Sequence, residues 1–281
     1  MGTHMTINKG FCFSSHYLLF ILVALLMAVG CAQVPITERR GLQLIPESNI
    51  TSMSLVEYDK ILSKSRLSSD EKEVDTVQRV GNKIASAAED FLRDAGMQED
   101  IKSYQWEFNL IEDDKMVNAW CMPGGKVAVY TGILPYTKDE DGLATVMAHE
   151  VGHAIAKHGN ERMSQGILAA MGGIVLSVAL SNQSSGNRNL YMAAYGAGAS
   201  LGILLPYSRL HESEADRIGL MVMARAGYDP RAAVPFWERM NNQGKSAQRP
   251  PEFLSTHPAP SSRIADIRKY MPDALRYYNP Q

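Results

Sequence analysis

The sequence predicts an α+β fold that is mostly α-helical. Residues 71–92 repeat apolar side chains every three or four positions, as an amphipathic helix does, and Ser68 and Glu71 form a capping box at its start. Residues 106–111 and 126–130 have the composition of strands, and the second segment alternates and follows a Pro-Gly-Gly turn. We expect one domain, because the candidate site residues are spread along the chain. The apolar stripe of the helix consists of Val74, Val77, Val80, Ile84, Ala88 and Phe91.

A second helix is predicted around an HExxH motif. Its acidic start at Asp139 suits the positive end of a helix, and we expect Gly159 to end it. His149 and His153 are four residues apart, so they project from one face and can bind one metal ion. Glu150 points to the side, where it can act as the general base toward a water that the metal activates. This pattern is typical of zinc peptidases, and we expect one Zn²⁺ per chain.

A catalytic zinc needs a third protein ligand and an open fourth position. His158 lies five residues after His153 and is therefore turned away from the ligand face. Glu212 is the better candidate, since it lies on a later predicted helix and can complete a site of two histidines and one glutamate. Asp216, four residues further on, can accept the second ring N–H of a ligand histidine and fix its tautomer.

Small residues accompany the two carboxylates on this later helix. Ala215 and Gly219 share their face and are small enough for a second helix to approach closely. Glu214 lies on another face, and we expect it to be solvated. Ser208 is the expected N-terminal cap, and Gly227 the expected end.

These motifs together resemble the gluzincin zinc metallopeptidase family of the CAAX prenyl endopeptidases and HtpX. Within it, the chain is most similar to the periplasmic BepA- and LoiP-type members, over roughly residues 71–268. The resemblance implies a zincin-like catalytic domain with a small β-sheet whose edge strand flanks the HExxH helix. It implies that Asn118 and Ala119 contact the substrate there. The residues that carry it are the HExxH motif, the later ExxxAD motif, Asn118-Ala119-Trp120, Pro123-Gly124-Gly125 and Thr131-Gly132.

The resemblance also implies a role for each matching residue. His149, His153 and Glu212 become zinc ligands, Glu150 the catalytic base, and Asp216 the carboxylate of the ExxxD motif. The chain stops near residue 281, without room for a C-terminal helical-repeat domain, so it looks closer to the LoiP type of lipoprotein.

A polar, proline-stiffened segment near the C-terminus contains two further candidates, His257 and Arg263. Similar His-Pro…Arg segments follow the ExxxD motif in the periplasmic relatives, so we expect both side chains in the site. A group must stabilise the oxyanion, and Tyr207, His211, His257 and Arg263 all stay open for that role. His257 has an alternative role as a fourth zinc ligand that keeps the enzyme latent.

The N-terminus resembles a bacterial export signal. Lys9 precedes an apolar run at 17–29, and residues 28–31 (AVGC) resemble a lipobox in which Cys31 becomes lipidated. Ala32, rather than aspartate, resembles lipoproteins that are sent to the outer membrane. We therefore expect a signal peptide at 1–30 with a possible cloning remnant at 1–4, a lipidated N-terminus and linker at 31–65, and the zinc metallopeptidase domain at 66–281.

Charge and composition exclude other classes of function. The net charge of −2, from 28 basic and 30 acidic residues, gives no electrostatic reason to bind nucleic acid.

Cys121 has no expected partner and is interpreted as a small apolar residue. The apolar runs at 166–180 and 190–205 fall short of the ~20 residues of a membrane span. We expect buried helices there, or a mobile cover over the site.

The expected function is zinc-dependent endopeptidase activity in the bacterial cell envelope. The resemblance implies hydrolysis of unfolded or misassembled proteins, as protein quality control, by a lipoprotein that faces the periplasm from the outer membrane. The expected partners are unfolded envelope proteins and the membrane, through the lipid; the oligomeric state stays open. The alternative is a chaperone-like binding module for unfolded outer-membrane proteins with a latent or structural zinc site.

Overall fold

Helices make up most of the chain that the computed structural model describes, namely residues 31–200, 205–246, 251–258 and 261–279. This confirms the predicted fold class; the predicted signal peptide at 1–30 lies outside the described residues. The strands are β1 (Cys31–Gln33), β2 (Arg40–Leu42), β3 (Glu107–Ile111), β4 (Ala119–Met122) and β5 (Lys126–Tyr130). The helices are α1 (Glu47–Leu62), α2 (Glu71–Asp94), α3 (Gln98–Ile101), α4 (Leu134–Thr137), α5 (Glu140–Ile155), α6 (His158–Ala179), α7 (Ser185–Ala199), α8 (Leu205–Arg225), α9 (Ala233–Ser246), α10 (Glu252–Thr256) and α11 (Ser261–Ala274).

The larger sheet has the strand order β3-β5-β4. β5 runs parallel to β3 and antiparallel to β4, with Ala119 opposite Val129. Gly124 and Gly125 make the turn between β4 and β5 with φ angles of 87° and 84°, a conformation that glycine adopts without strain. The edge strand β4 packs against α5, the helix that carries HExxH. The predicted edge strand beside this helix is therefore β4, and the central strand β5 is almost wholly buried.

The amphipathic helix α2 packs its apolar stripe against α5 and β3. Five of the six predicted stripe residues are buried, and Val74 is half-buried against the same core. The predicted capping box is wrong, because Asp70 is the N-terminal cap and its carboxylate accepts a hydrogen bond from the Glu73 N–H at 3.1 Å. Asp70 lies immediately before the first helical residue, so its side chain reaches the open N–H groups.

Two helix boundaries differ from prediction. The Asp139 cap of α5 is confirmed, since its carboxylate accepts from the Gly142 N–H at 2.8 Å. Gly159 does not end α5; the helix ends at Ile155, and Lys157, with φ of 56°, separates it from α6. Ser208 does not cap α8, which already begins at Leu205, whereas Gly227 follows its end with φ of 88°, as expected.

Helices α5 and α8 cross at very short distance. A Cβ added at Gly152 would lie 3.0 Å from the Ala215 carbonyl oxygen, and one added at Gly219 would lie 3.0 Å from the His149 backbone nitrogen. The predicted role of Ala215 and Gly219 in a close helix approach is thus confirmed. The crossing brings the ligand faces of the two helices together.

An apolar hairpin of α6 and α7 is exposed on the surface. Ile174, Val178 and Leu190 expose 65%, 69% and 67% of their surface, so the expectation of buried helices in these runs is wrong for the described residues. Within the described chain, α6 is the one helix that is long and apolar enough to cross a membrane, judged by length and composition alone.

The segment that follows the predicted lipidation site is folded. β1 and β2 pair as an antiparallel hairpin with Cys31 opposite Leu42, and β2 packs on α6. The Leu44 N–H donates to Ser164 Oγ at 2.9 Å, and the Asn160 side chain donates to the Ile45 carbonyl at 2.8 Å. The hairpin is thereby fixed to the first turns of α6.

Replacing Gly219 by valine is expected to lower the free energy of unfolding by about 1–3 kcal/mol, because the added atoms have no space beside α5. Gly196→Ala on the exposed α7 is the control, since a Cβ there meets nothing within 4 Å. It should be neutral or stabilise by about 0.4–1 kcal/mol. Denaturant unfolding of both variants is the measurement, and a Gly219→Val midpoint equal to that of the parent chain would contradict the close crossing.

Candidate metal centre

Four side chains with metal-binding atoms converge where α5 and α8 meet the residue that follows α10. His149 and His153 come from α5, Glu212 comes from α8, and His257 follows α10. Their ligand atoms all lie within 4.8 Å of one another, and all four residues are buried. The structure therefore brings together the three predicted ligands and adds His257 to them.

The spacing of these atoms fits a tetrahedral zinc site. His149 Nε2 lies 3.1 Å from His153 Nε2 and 3.4 Å from Glu212 Oε2, and His153 Nε2 lies 3.3 Å from Glu212 Oε1. His257 Nδ1 lies 3.2 Å from His149 Nε2 and 3.1 Å from each Glu212 oxygen. Tetrahedral donors at the zinc–nitrogen distance of ~2.0–2.1 Å are about 3.3 Å apart. The residues present fit zinc in both donor type and spacing.

The electrostatics of the cluster favour a cation. Burial by itself raises the pKa of Glu212, but the surrounding histidines, first among them the hydrogen-bonded His149, outweigh it and hold this pKa well below its usual range. Burial lowers the pKa of His153 well below its ordinary value, so its ring is neutral. Burial and Arg263 lower the pKa of His149, yet hydrogen bonds with Asp216 and Glu212 raise it to about 9. Glu212 is thus an anionic ligand and His153 a neutral one, and both lie beside His149, whose proton a metal ion would displace.

Glu150 lies beside this cluster with one of its carboxylate oxygens unbonded. Its Oε1 atom is buried and accepts no hydrogen bond from the described residues, and His257 Nε2 is 3.4 Å away. A buried carboxylate oxygen is normally hydrogen-bonded, often to water. The position next to the metal-binding atoms suits an oxygen that accepts a proton from water.

Asp216 and Arg263 lie behind the ligands rather than among them. Asp216 Oδ1 is 3.0 Å from His149 Nδ1, so the carboxylate accepts the second ring N–H, as the sequence predicts. Arg263 donates to Asp216 through Nε at 2.5 Å and Nη2 at 2.8 Å, and its guanidinium lies 3.7 Å from the Trp237 ring centre. Burial raises the pKa of Asp216, but the Arg263 charge outweighs it and lowers this pKa below its ordinary value. The pair keeps an ionised acceptor behind His149.

A second buried polar cluster lies against the other side of His153. His158 Nδ1 is 2.8 Å from His153 Nδ1, and His158 Nε2 is 3.0 Å from Glu214 Oε2. Glu214 is only 5% exposed, so the prediction of a solvated side chain is wrong. Burial lowers the pKa of His158 to about 4, and its ring is therefore neutral. His158 is not part of the four-residue metal cluster, as its spacing indicates, but it contacts a member of it.

Two members of this second cluster, Arg39 and Glu161, could not be found from sequence patterns. Arg39 donates to Glu161 Oε2 at 2.7 Å and to Glu214 Oε2 at 2.8 Å, from a position 122 and 175 residues away in the chain. Glu161 also lies 3.1 Å from His211 Nε2. The one available signal was the pair of nearby carboxylates, Glu212 and Glu214. The sequence does not indicate which of the two is buried beside an arginine.

The other candidate residues are placed as follows. Asn118 precedes β4, where its carbonyl accepts from the Tyr130 N–H at 3.1 Å, and Ala119 is 1% exposed at the start of that edge strand. His211 is buried against Glu161 and stacks on His158 with ring centres 4.2 Å apart. It contacts these residues rather than the four metal-binding side chains, beside which an oxyanion stabiliser would have to lie. The Tyr207 side chain lies outside the described residues.

Comparisons with known proteins place the cluster in a peptidase context. The mitochondrial metalloendopeptidase OMA1 of Schizosaccharomyces pombe is 41% identical over 174 residues, which cover 62% of this chain and 49% of that protein. OMA1 of Saccharomyces cerevisiae is 37% identical over 214 residues, covering 72% of this chain and 57% of that protein. The β-barrel assembly-enhancing protease of Escherichia coli K12 is 37% identical over 173 residues, covering 58% and 34%. The chain thus spans about half the length of the OMA1 relatives and a third of the bacterial one.

The family follows from the match to a family model. Residues 76–271 match Peptidase family M48, and this range includes α5, α8 and His257, which together hold all four metal-binding side chains. The relatives that carry endopeptidase and protease names cover much of the same chain. An HExxH helix with a glutamate from a second helix, inside such a match, identifies the chain as a metalloprotease that belongs to peptidase family M48.

Proposed function

We propose that the chain is a zinc-dependent endopeptidase of the bacterial cell envelope that hydrolyses peptide bonds in unfolded or misassembled proteins. The observation that carries the proposal is the buried group of His149, His153, Glu212 and His257 with the unbonded Glu150 oxygen beside it. A structural metal site has no need of such a carboxylate. A hydrolase needs one as its base.

The roles of the protein groups follow from their positions. His149, His153 and Glu212 would hold the zinc. The zinc, when bound, would act as a Lewis acid that lowers the pKa of a water molecule toward neutral pH. Glu150 takes the proton from the attacking water at Oε1 and passes it to the leaving amine. Asp216 fixes the ring of His149 by accepting its Nδ1–H. Arg263 keeps Asp216 ionised, and its Nη1 lies 3.1 Å from Glu212 Oε2, so it also orients the carboxylate ligand.

His257 is proposed to hold the site in a latent state. Catalytic zinc sites keep one position open for water or substrate, whereas structural sites are closed by a fourth protein ligand. His257 Nδ1 stands at the same short distance from the other donors as they do from each other. A chain in this arrangement must move His257 aside before a substrate carbonyl can approach.

The edge strand β4 is the proposed substrate platform. It pairs on one side with β5, and no other described strand pairs with it. An extended peptide can add to such an edge through backbone hydrogen bonds, beside the metal-binding helix α5. Recognition would then depend on extended conformation more than on sequence, which favours unfolded segments as substrates. Asn118 and Ala119, at the start of this strand, are the proposed contacts.

The proposed location is the periplasmic side of the outer membrane, reached through a lipid on Cys31. The sequence of residues 17–31 and the identity with the bacterial β-barrel assembly-enhancing protease support it. The LoiP-like lipoprotein subtype is part of the same proposal. The mitochondrial names of other relatives are the reason to test the location by fractionation and radiolabelled palmitate incorporation.

A chaperone-like binding module is the second candidate, favoured by the same open edge of β4. Such a module would bind unfolded outer-membrane proteins through the strand and would need neither Glu150 nor the metal. Suppression of aggregation by both the parent chain and Glu150→Gln, without cleavage by either, would favour it.

Glu150→Gln is expected to reduce cleavage of casein by the zinc-loaded chain at least about 100-fold, because an amide cannot accept the proton. Zinc content should stay the same, since Glu150 is not among the four metal-binding residues. Glu140→Gln, near the exposed start of the same helix, is the matched control and should cleave like the parent. Removal of the metal by a chelator should stop cleavage, and readdition should restore it. Equal cleavage by parent and Glu150→Gln would sink the mechanism.

His257→Ala is expected to raise the rate of casein cleavage, because it removes the donor that closes the fourth position. The zinc content should remain near one per chain, held by the other three ligands. Rate and zinc content are measured together at neutral pH. A loss of cleavage with zinc retained would show instead that His257 takes part in the reaction.

A further inference from the structure

A continuous line of buried polar side chains connects the N-terminal hairpin with the metal centre. It begins at Arg39, at the end of the turn before β2, and passes through Glu214 and His158 to the metal-binding His153. We name Arg39, Glu214 and His158 the relay. Glu214, His158 and His153 are each less than a tenth exposed, and the Arg39 side chain is 19% exposed.

When His153 binds a metal through Nε2, its Nδ1 carries the ring proton, and the hydrogen bonds of the relay then run in one direction. Arg39 can only donate, and ionised Glu214 can only accept, so Glu214 must take the Nε2–H of His158. A neutral His158 that carries its proton on Nε2 has a lone pair on Nδ1. The Nδ1 atom of His153, 2.8 Å away, must then carry the proton and donate it. His153 is left with its Nε2 lone pair directed at the metal-binding atoms, which is the tautomer that a zinc ligand needs.

The far end of the relay is held firmly. Arg39 binds Glu214 and Glu161 at once, with Nη2 2.7 Å from a carboxylate oxygen of each. Thr37 Oγ1 donates a further short hydrogen bond to Glu214. A Cβ at Gly41 would lie 2.8 Å from Glu161 Oε2, so the hairpin backbone lies directly on this carboxylate. Thr37 Oγ1 and the Nε and Nη2 atoms of Arg39 therefore fix the position of Glu214 behind His158.

The turn that presents Arg39 is itself strained. Ile36 and Glu38 have φ angles of 69° and 56°, in the left-handed region that non-glycine residues rarely adopt. Such conformations persist where surrounding contacts hold them, and they occur often at functional sites. The contacts here are those of Thr37 and Arg39 with Glu214, which are made from within or beside the strained turn.

The two histidines of α5 are supported in matching ways from opposite sides. His149 donates to Asp216, which Arg263 holds, and His153 donates to His158, which Glu214 and Arg39 hold. Each ligand thus has a buried carboxylate and an arginine behind it. The support of His153 differs in that its arginine comes from outside the range of the family match at 76–271.

We propose that Arg39 is a positioning residue for the metal ligand His153, acting through Glu214 and His158. The inference rests on the zinc site of the proposed function. It assigns to the N-terminal hairpin, the segment directly after the proposed lipid attachment at Cys31, the task of fixing the tautomer and orientation of one zinc ligand. The hairpin is then part of the metal centre rather than a tether alone.

The test is zinc affinity of the full chain, measured by competition with a chromophoric chelator, for Arg39→Met and for Arg40→Met. The relay predicts zinc binding about 10–100-fold weaker in Arg39→Met, the usual effect of losing support behind a ligand. Arg40 is the matched control, since it is the next residue in the hairpin and exposed, and its side chain donates to the Cys31 carbonyl at 3.3 Å without contact to the relay side chains in any described hydrogen bond. Its variant should bind zinc like the parent. Equal affinity of all three chains would overturn the inference.

His158→Gln is the second variant, in case Arg39→Met does not fold. It interrupts the relay one step nearer the metal while the ion pairs of Arg39 stay in place, and the same weakening is expected. Where both single variants fold, the double variant should bind zinc no more weakly than either one, because both break a single connection. Additive losses, or parent-like zinc affinity in His158→Gln, would show that Arg39 does not act through His158.

A measurement on the metal-free chain separates this inference from the proposed function. Two-bond ¹H–¹⁵N spectra of the imidazoles report which ring nitrogen of His153 carries the proton. The relay predicts the Nδ1–H form in the parent chain and a mixture of tautomers in Arg39→Met. An Nε2–H form in the parent would overturn the inference even if zinc is bound and casein is cleaved. A parent that shows the Nδ1–H form but binds no zinc would overturn the proposed function and leave the relay supported.

Discussion

The close crossing of α5 and α8 is the constraint on which the rest of the structure depends. HExxH supplies only two metal-binding atoms, and the third has to come from a helix that starts about fifty residues later. Gly152 and Gly219 let the two backbones approach until a side chain on either glycine would meet the other helix at 3.0 Å. Glu212 reaches His149 and His153 because this approach is possible. The sheet, α2 and α9 then pack around the crossing and hold it.

Burial of so many charges at the crossing is possible because most of them have a partner of opposite sign or a hydrogen bond; Glu150 Oε1 is an exception. Arg263 lies between Asp216 and Glu212 and against the face of Trp237. Arg39 forms ion pairs with both Glu161 and Glu214 on the far side. Ionised groups in a protein interior are costly unless paired in this way, and removal of one partner is strongly destabilising. Arg39 and Arg263 therefore hold the buried carboxylates in place around the metal-binding residues. A metal ion can bind there in place of a histidine proton.

Local patterns predicted the parts of the site that depend on local geometry. The four-residue spacing of His149 and His153, the acidic cap at Asp139 and the face shared by Glu212 and Gly219 all follow from the period of a helix. The left-handed conformation of Lys157 does not follow from any such pattern. It separates α5 from α6, and His158, at the start of α6, then lies in contact with His153. Arg39 was equally hidden, since its partners lie more than a hundred residues away. The surface position of α6 and α7 escaped prediction because an apolar run has the same composition whether it is buried or exposed.

X-ray absorption at the zinc edge, on the full chain loaded with one equivalent of zinc, shows which atoms bind the metal. A zinc ion held by His149, His153 and Glu212 should give a shell of nitrogen and oxygen atoms at ~2.0–2.1 Å, with the outer-shell pattern of imidazole rings. His149→Ala should lose part of that imidazole signal. A sulfur shell near ~2.3 Å would rule this site out, because it would place the metal on cysteine rather than on His149, His153 and Glu212.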